Sequence, residues 1–89
     1  MNAALRQVIE ALADEAVREL MPLGGGDIGQ SARATLTSGA RLFVKHYPGA
    51  PAEAVGREAE GLRWLENTGT VPVARVRGVD EVQGVLLLD

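Results

Sequence analysis

The feature that most limits how this chain can fold is the stretch "LMPLGGGDIGQSARATLTSGARLFVKHY", Leu20 to Tyr47. Four glycines, Gly24, Gly25, Gly26 and Gly29, crowd into it, and Lys45, the only lysine in the chain, follows later. "GGGDIG" is a literal G-x-G-x-x-G, which alone is a weak signal. Three readings compete for it: a flexible surface turn, a dinucleotide-binding turn, and a phosphate-covering loop inside a strand–loop–strand unit. A dinucleotide fold needs a buried apolar strand before the glycines and a helix after them. Here a charged "VRELMPL" containing Pro22 precedes, and strand alternation follows. That pattern argues against the dinucleotide reading.

Residues 30–47 read as a hairpin: "SARATLT", a turn through Gly39, then "RLFVKHY". In the second strand Leu42, Val44 and His46 point one way, and Arg41, Phe43 and Lys45 the other. Before the glycines, Leu5, Val8, Ile9, Leu12, Ala16 and Leu20 recur at three- and four-residue steps. That spacing predicts a helix from Asn2 to about Leu20, with Asn2 as N-cap and Pro22 ending it. A short strand around Arg18–Leu23 is the alternative for its last part. A second helix runs from about Pro51 to Asn67, burying Val55, Ala59, Leu62 and Leu65, with Gly69 suited to its end. "VPVARVRGVD" and "GVLLLD" supply two more strands, with a turn at 80–84 between them. Strands joined by hairpins, with one helix between the pairs, predict a single α+β domain over residues 1–89.

Composition removes several classes of function. Net charge is −3 and the nine basic residues form no clustered patch, so no nucleic-acid partner is expected. No apolar run is long enough to span a membrane, and the N-terminus lacks a signal-peptide pattern. With no cysteine and one histidine, thiol chemistry is excluded and no metal site is expected. A cytoplasmic location is the default expectation.

The phosphate-loop reading makes the most specific demands. Glycines let backbone N–H groups approach phosphate oxygens with no Cβ in the way. A lysine on the next-but-one strand should then reach those phosphates, and a glutamate on the following helix should hold the lysine. Lys45 meets the first demand. Of Glu53, Glu58, Glu60 and Glu66, helical periodicity places Glu58 among Val55, Leu62 and Leu65, whereas Glu60 falls opposite with Trp64. A carboxylate within an apolar stripe calls for a charged partner. Lys45 is the candidate. Taken singly, Lys45 and Glu58 read as a strand-edge charge and a solvated flank; as an ordered set with the glycines they favour the phosphate loop.

"PLGGGDIGQSARATLTSGARLFVKHY" and the helix "EAEGLRWL" resemble the start of the fructosamine kinase (ketosamine-3-kinase) family. These are ATP-dependent small-molecule kinases related to aminoglycoside phosphotransferases. The resemblance implies a protein-kinase-like amino-terminal lobe, a twisted antiparallel sheet of about five strands with an N-terminal helix and one helix between strands three and four. It implies that Gly24, Gly25, Gly26, Asp27, Ile28 and Gly29 cover the ATP phosphates, that Lys45 binds them, and that Glu58 anchors Lys45. Phe43 would line the adenine pocket, Leu88 would form its back, and Asp89 would open the hinge with its backbone carbonyl facing the adenine amino group. Mg²⁺ would be the metal, its ligands lying beyond this sequence. The acceptor would be a sugar hydroxyl of a glycated amine or protein. Gly29 departs from the family's usual Asn or Ser, and some relatives carry a cysteine where Asp27 stands.

The same resemblance places the catalytic and magnesium-binding aspartates beyond Asp89, so these residues alone are expected to be inactive. "GVLLL" is expected to be exposed where a second lobe belongs, an opening for self-association. The lobe of an aminoglycoside- or choline-kinase-like phosphotransferase is one alternative. A non-catalytic α+β interaction module, with the glycines as a mere turn, is another. Trp64 is expected to pack, against the first helix, and His46 to face away from Lys45 as a non-catalytic side chain.

Overall fold

The computed structural model describes residues 3–25, 30–69 and 72–89. Its elements, in chain order, are α1 (Ala3–Ala13), β1 (Val17–Gly25), β2 (Gln30–Leu36), β3 (Arg41–His46), α2 (Ala52–Thr68), β4 (Val76–Asp80) and β5 (Val85–Leu88). The strands form one antiparallel sheet in the order β1-β2-β3-β5-β4. None of the described helices is long and apolar enough to cross a membrane.

The two helices cover opposite faces of the sheet. Leu5, Ile9 and Ala13 of α1 pack with Ala32, Ala34, Leu36, Leu42, Val44, Val85 and Leu87. Val55 and Ala59 of α2 pack with Leu86 and Leu88, flanked by Phe43, Tyr47, Leu62, Val76 and Val79. Alternate residues of one strand therefore feed two cores, as the period of two requires. At roughly 1.5–3 kcal/mol for each fully buried aliphatic side chain, the α1-side core carries most of the fold's driving force.

Strand β5 shows this most plainly. Val85, Leu86 and Leu87 have no exposed surface and Leu88 is 5% exposed. The expectation that "GVLLL" lies open is thereby corrected. An unbroken apolar run is the signature of a strand buried on both faces, and β3 and β4 occupy its two edges. The premise for self-association through that strand disappears with its exposure.

Two other expectations are corrected. α1 ends at Ala13, with Asp14 in the left-handed region at φ 56°, and the chain enters β1 at Val17. Ala16 and Leu20 continue the helical spacing only by coincidence; the strand alternative around Arg18–Leu23 holds instead. The turn is fastened by α1 itself: the Val17 N–H donates to the Glu10 carboxylate (2.7 Å) and Arg6 donates to the Val17 carbonyl (2.8 Å). Pro22 sits inside β1, which is tolerated because β1 pairs on one side only, with a register irregularity beside it. Trp64 is 65% exposed and does not pack against α1, since α1 and α2 lie on opposite faces of the sheet. The expected N-cap, Asn2, lies outside the described residues.

Helix α2 follows its predicted limits. Pro51 precedes its first turn, and Gly69 closes it at φ 68° with its N–H on the Leu65 carbonyl (3.3 Å). Gly84 is the glycine the architecture cannot replace. It lies at φ 70°, its carbonyl accepts a 2.8 Å bond from the Tyr47 N–H, and a Cβ there would fall 2.5 Å from the Tyr47 carbonyl oxygen.

Candidate functional site

Sheet register builds the site before any side chain is considered. Gly24 pairs with Ser31, Ser31 with Lys45, and Lys45 with Leu86. One row thus runs from the glycine-bearing end of β1 to the lysine, two strand spacings or roughly 10 Å away. The next row on the same face is Met21, Arg33, Phe43, Leu88 and Val76. Helix α2 packs over β4 and β5 and reaches Lys45 and Phe43 of β3, so among the described residues the part of this face on β1 and β2 has no helix above it.

On that face Lys45 Nζ lies 3.5 Å from Glu58 Oε2, each side chain about one-third exposed (35% and 32%). Both groups reach solvent, so the pair is worth no more than about 1 kcal/mol to the fold. Its significance is positional: a carboxylate on a helix fixes where an ammonium on a sheet ends. Tyr47, on the same strand face, donates its hydroxyl to Glu58 Oε1 at 3.1 Å, with Oε2 at 3.3 Å. Burial first, and then the Glu58 charge, push the Tyr47 phenol above its ordinary value, so it stays a neutral donor. Glu58 is therefore held from both sides, by a cation and by a phenol.

The sequence-predicted residues divide as follows. Gly24 and Gly25 end β1. Gly26, Asp27, Ile28 and Gly29 lie outside the described residues. Phe43, Lys45 and Leu88 share one face, and Glu58 joins them from α2. Asp89 is exposed, with its N–H on the Arg75 carbonyl (2.9 Å) and its carboxylate 3.4 Å from Arg77. His46 faces α1, beside a cavity of about 100 Å³ lined also by Leu5, Val8 and Val85. A larger cavity, about 330 Å³, opens beside Tyr47, Ala50, Ala54 and Glu58. Sequence reasoning passed over Tyr47, Leu86 and Arg33. The period of two that selected Phe43 and Lys45 also selects Tyr47 two residues on; Leu86 and Arg33 required the cross-strand register. Among the described residues no group of three or more His, Asp or Glu side chains is placed to hold a metal ion.

Such a row, with a helix-anchored lysine two strands from the glycine-bearing end of β1, can position a polyanion by backbone amides at one end and a fixed ammonium at the other. A solved structure from Thermobifida fusca, described as a "putative fructosamine-3-kinase", is similar over 100% of this chain at 28% identity and a TM-score of 0.85. The match takes in 31% of that protein, so the chain spans about a third of its length, and the fold is kinase-like. A search of curated proteins gave no match. The model of the phosphotransferase enzyme family (APH) matches residues 19–89, from within β1 to Asp89. The chain belongs to the phosphotransferase enzyme family.

Proposed function

We propose that this chain is the ATP-binding lobe of a small-molecule kinase that phosphorylates a sugar hydroxyl of a glycated amine. The observation that carries the reading is the Lys45–Glu58 contact at 3.5 Å, in sheet register with Gly24. The likeness to the Thermobifida fusca protein supports the choice of acceptor class. The setting in this reading is the cytosol, where ATP is supplied.

The transferred γ-phosphoryl group breaks its bond to the β-phosphate bridging oxygen and forms one to the acceptor oxygen, whose proton goes to a base. Catalysis of this kind is mostly positioning and charge stabilisation. In this reading the residues 24–29 would cover the phosphates with backbone N–H groups, and Lys45 would place an ammonium on the α- and β-phosphates. Glu58 holds Lys45, and Tyr47 holds Glu58. Phe43 and Leu88 receive the base, and the Asp89 carbonyl faces its amino group. Mg²⁺ accompanies ATP in this reading, but the described residues offer no ligand set for it, so no step is routed through it.

Calorimetric titration of the chain with Mg²⁺–ATP tests the reading. Binding is expected, and Lys45→Ala should weaken it about tenfold or more, as loss of a charge-assisted contact does. Absence of binding, or equal affinity in Lys45→Ala, overturns it.

A further inference from the structure

Arg33 carries a permanent charge that the fold does not use. Its Nε is buried and has no hydrogen-bond partner among the described residues. The contact its guanidinium does make is weak, Nη2 to the Met21 sulfur at 3.4 Å. No described carboxylate pairs with it. A guanidinium has five N–H donors and cannot be neutralised by losing a proton. A partly buried one without acceptors is costly, and such an orphan in a native fold calls for a partner.

Register says what that partner is. Arg33 stands in the row Met21, Arg33, Phe43, Leu88, at its β1–β2 end, which no described helix covers. Along β2 it is two residues, or about 7 Å, from Ser31, which lies in the row of Gly24 and Lys45. On the reading above, phosphates occupy that neighbouring row. A nucleotide laid across the face then extends its nucleoside, not its phosphates, over the apolar row of Phe43 and Leu88. Purine ring nitrogens and ribose oxygens are acceptors, and the base presents a π-face that a planar cation favours.

We infer that Arg33 is a nucleoside-recognising residue, donating from the terminal nitrogens of its guanidinium to the base-and-sugar portion of a purine nucleotide. The inference rests on the nucleotide reading and goes beyond it by giving the base side a charged determinant. Lys45 and Arg33 thus divide the ligand between them.

The test compares Mg²⁺–ATP with inorganic tripolyphosphate, which has the phosphates and no nucleoside, on the parent chain, Arg33→Met and Arg33→Lys. Both variants keep the apolar stem, and thermal melts check that they fold. ATP affinity is expected to fall about tenfold in Arg33→Met, the scale of a lost charge-assisted hydrogen bond. Arg33→Lys, which keeps the charge and loses the fork, should recover only part of it, while tripolyphosphate affinity stays within about twofold. An equal fall for both ligands makes Arg33 a phosphate contact and overturns the inference. Unchanged ATP affinity also overturns it. Failure of the parent chain to bind ATP instead overturns the nucleotide reading, a result separable from either.

Discussion

Replacing Gly84 with alanine tests whether the turn before β5 is a fixed part of the site's frame. The perturbation has two components. Any L-residue at φ 70° carries left-handed strain of roughly 1 kcal/mol. The new Cβ would also lie 2.5 Å from the Tyr47 carbonyl oxygen, a contact relieved only by moving backbone. That movement strains the 2.8 Å bond from Tyr47 N–H to the Gly84 carbonyl, and losing a buried backbone bond costs about 1–3 kcal/mol. Gly69 supplies the control: its φ is 68°, and a Cβ there would meet nothing within 4 Å. Gly69→Ala should therefore cost about 1 kcal/mol and Gly84→Ala about 2–4 kcal/mol. Against a total of roughly 4–13 kcal/mol for a domain of this size, the second loss is large. Urea melts with unchanged slope give both values. The displaced Tyr47 also carries the phenol that holds Glu58, so ATP affinity should fall in Gly84→Ala and not in Gly69→Ala. Equal destabilisation by the two substitutions would refute the argument from close approach.

Leu87→Ala should cost about 2–5 kcal/mol, because Leu87 is fully buried in the α1-side core, whereas Val82→Ala, at a site 86% exposed, should stay within about 0.5 kcal/mol. Denaturant melts of the pair test whether β5 is core or open edge. Asp14→Gly should stabilise by about 0.5–1 kcal/mol, since it relieves φ 56° and removes a negative charge from a helix C-terminus, and a rise in melting temperature reads it out. Ser38, through its side chain and then its N–H, and the Thr37 hydroxyl at 2.9 Å donate to Glu15 and hold its carboxyl below the usual range. A lowered folded value means stability present above the unfolded carboxylate value and lost as pH falls through the folded one. Glu15→Gln should accordingly flatten the acid limb of a stability-against-pH curve and leave the neutral region's slope unchanged.

Much of this architecture is legible in the sequence because its signals are local. The β2–β3 hairpin shows its alternation and its turn, and α2 shows both its stripe and its terminal glycine. Helical phase places Glu58 on the buried side of α2, and the fold brings it to Lys45. The failures share a cause. Where α1 stops is set by Asp14 adopting a left-handed conformation and by Glu10 and Arg6 fastening Val17, while the apolar spacing runs on through Ala16 and Leu20. The burial of "GVLLL" depends on which strands flank it and on helices covering both faces, facts of topology rather than of local pattern. That Trp64 lies across the sheet from α1 is likewise a fact of topology. Arg33 carries no sequence signal of its own; its row is fixed by cross-strand register.

The central claim is that the row Gly24, Ser31, Lys45 is where a nucleotide's phosphates lie. Backbone amide shifts of the labelled chain during a Mg²⁺–ATP titration measure it most directly. Saturable shifts at Gly24, Gly25, Ser31 and Lys45, with Leu5 and Ile9 on the opposite face unmoved, are the predicted result. Shifts confined to the α1 face, or none at all, would contradict it.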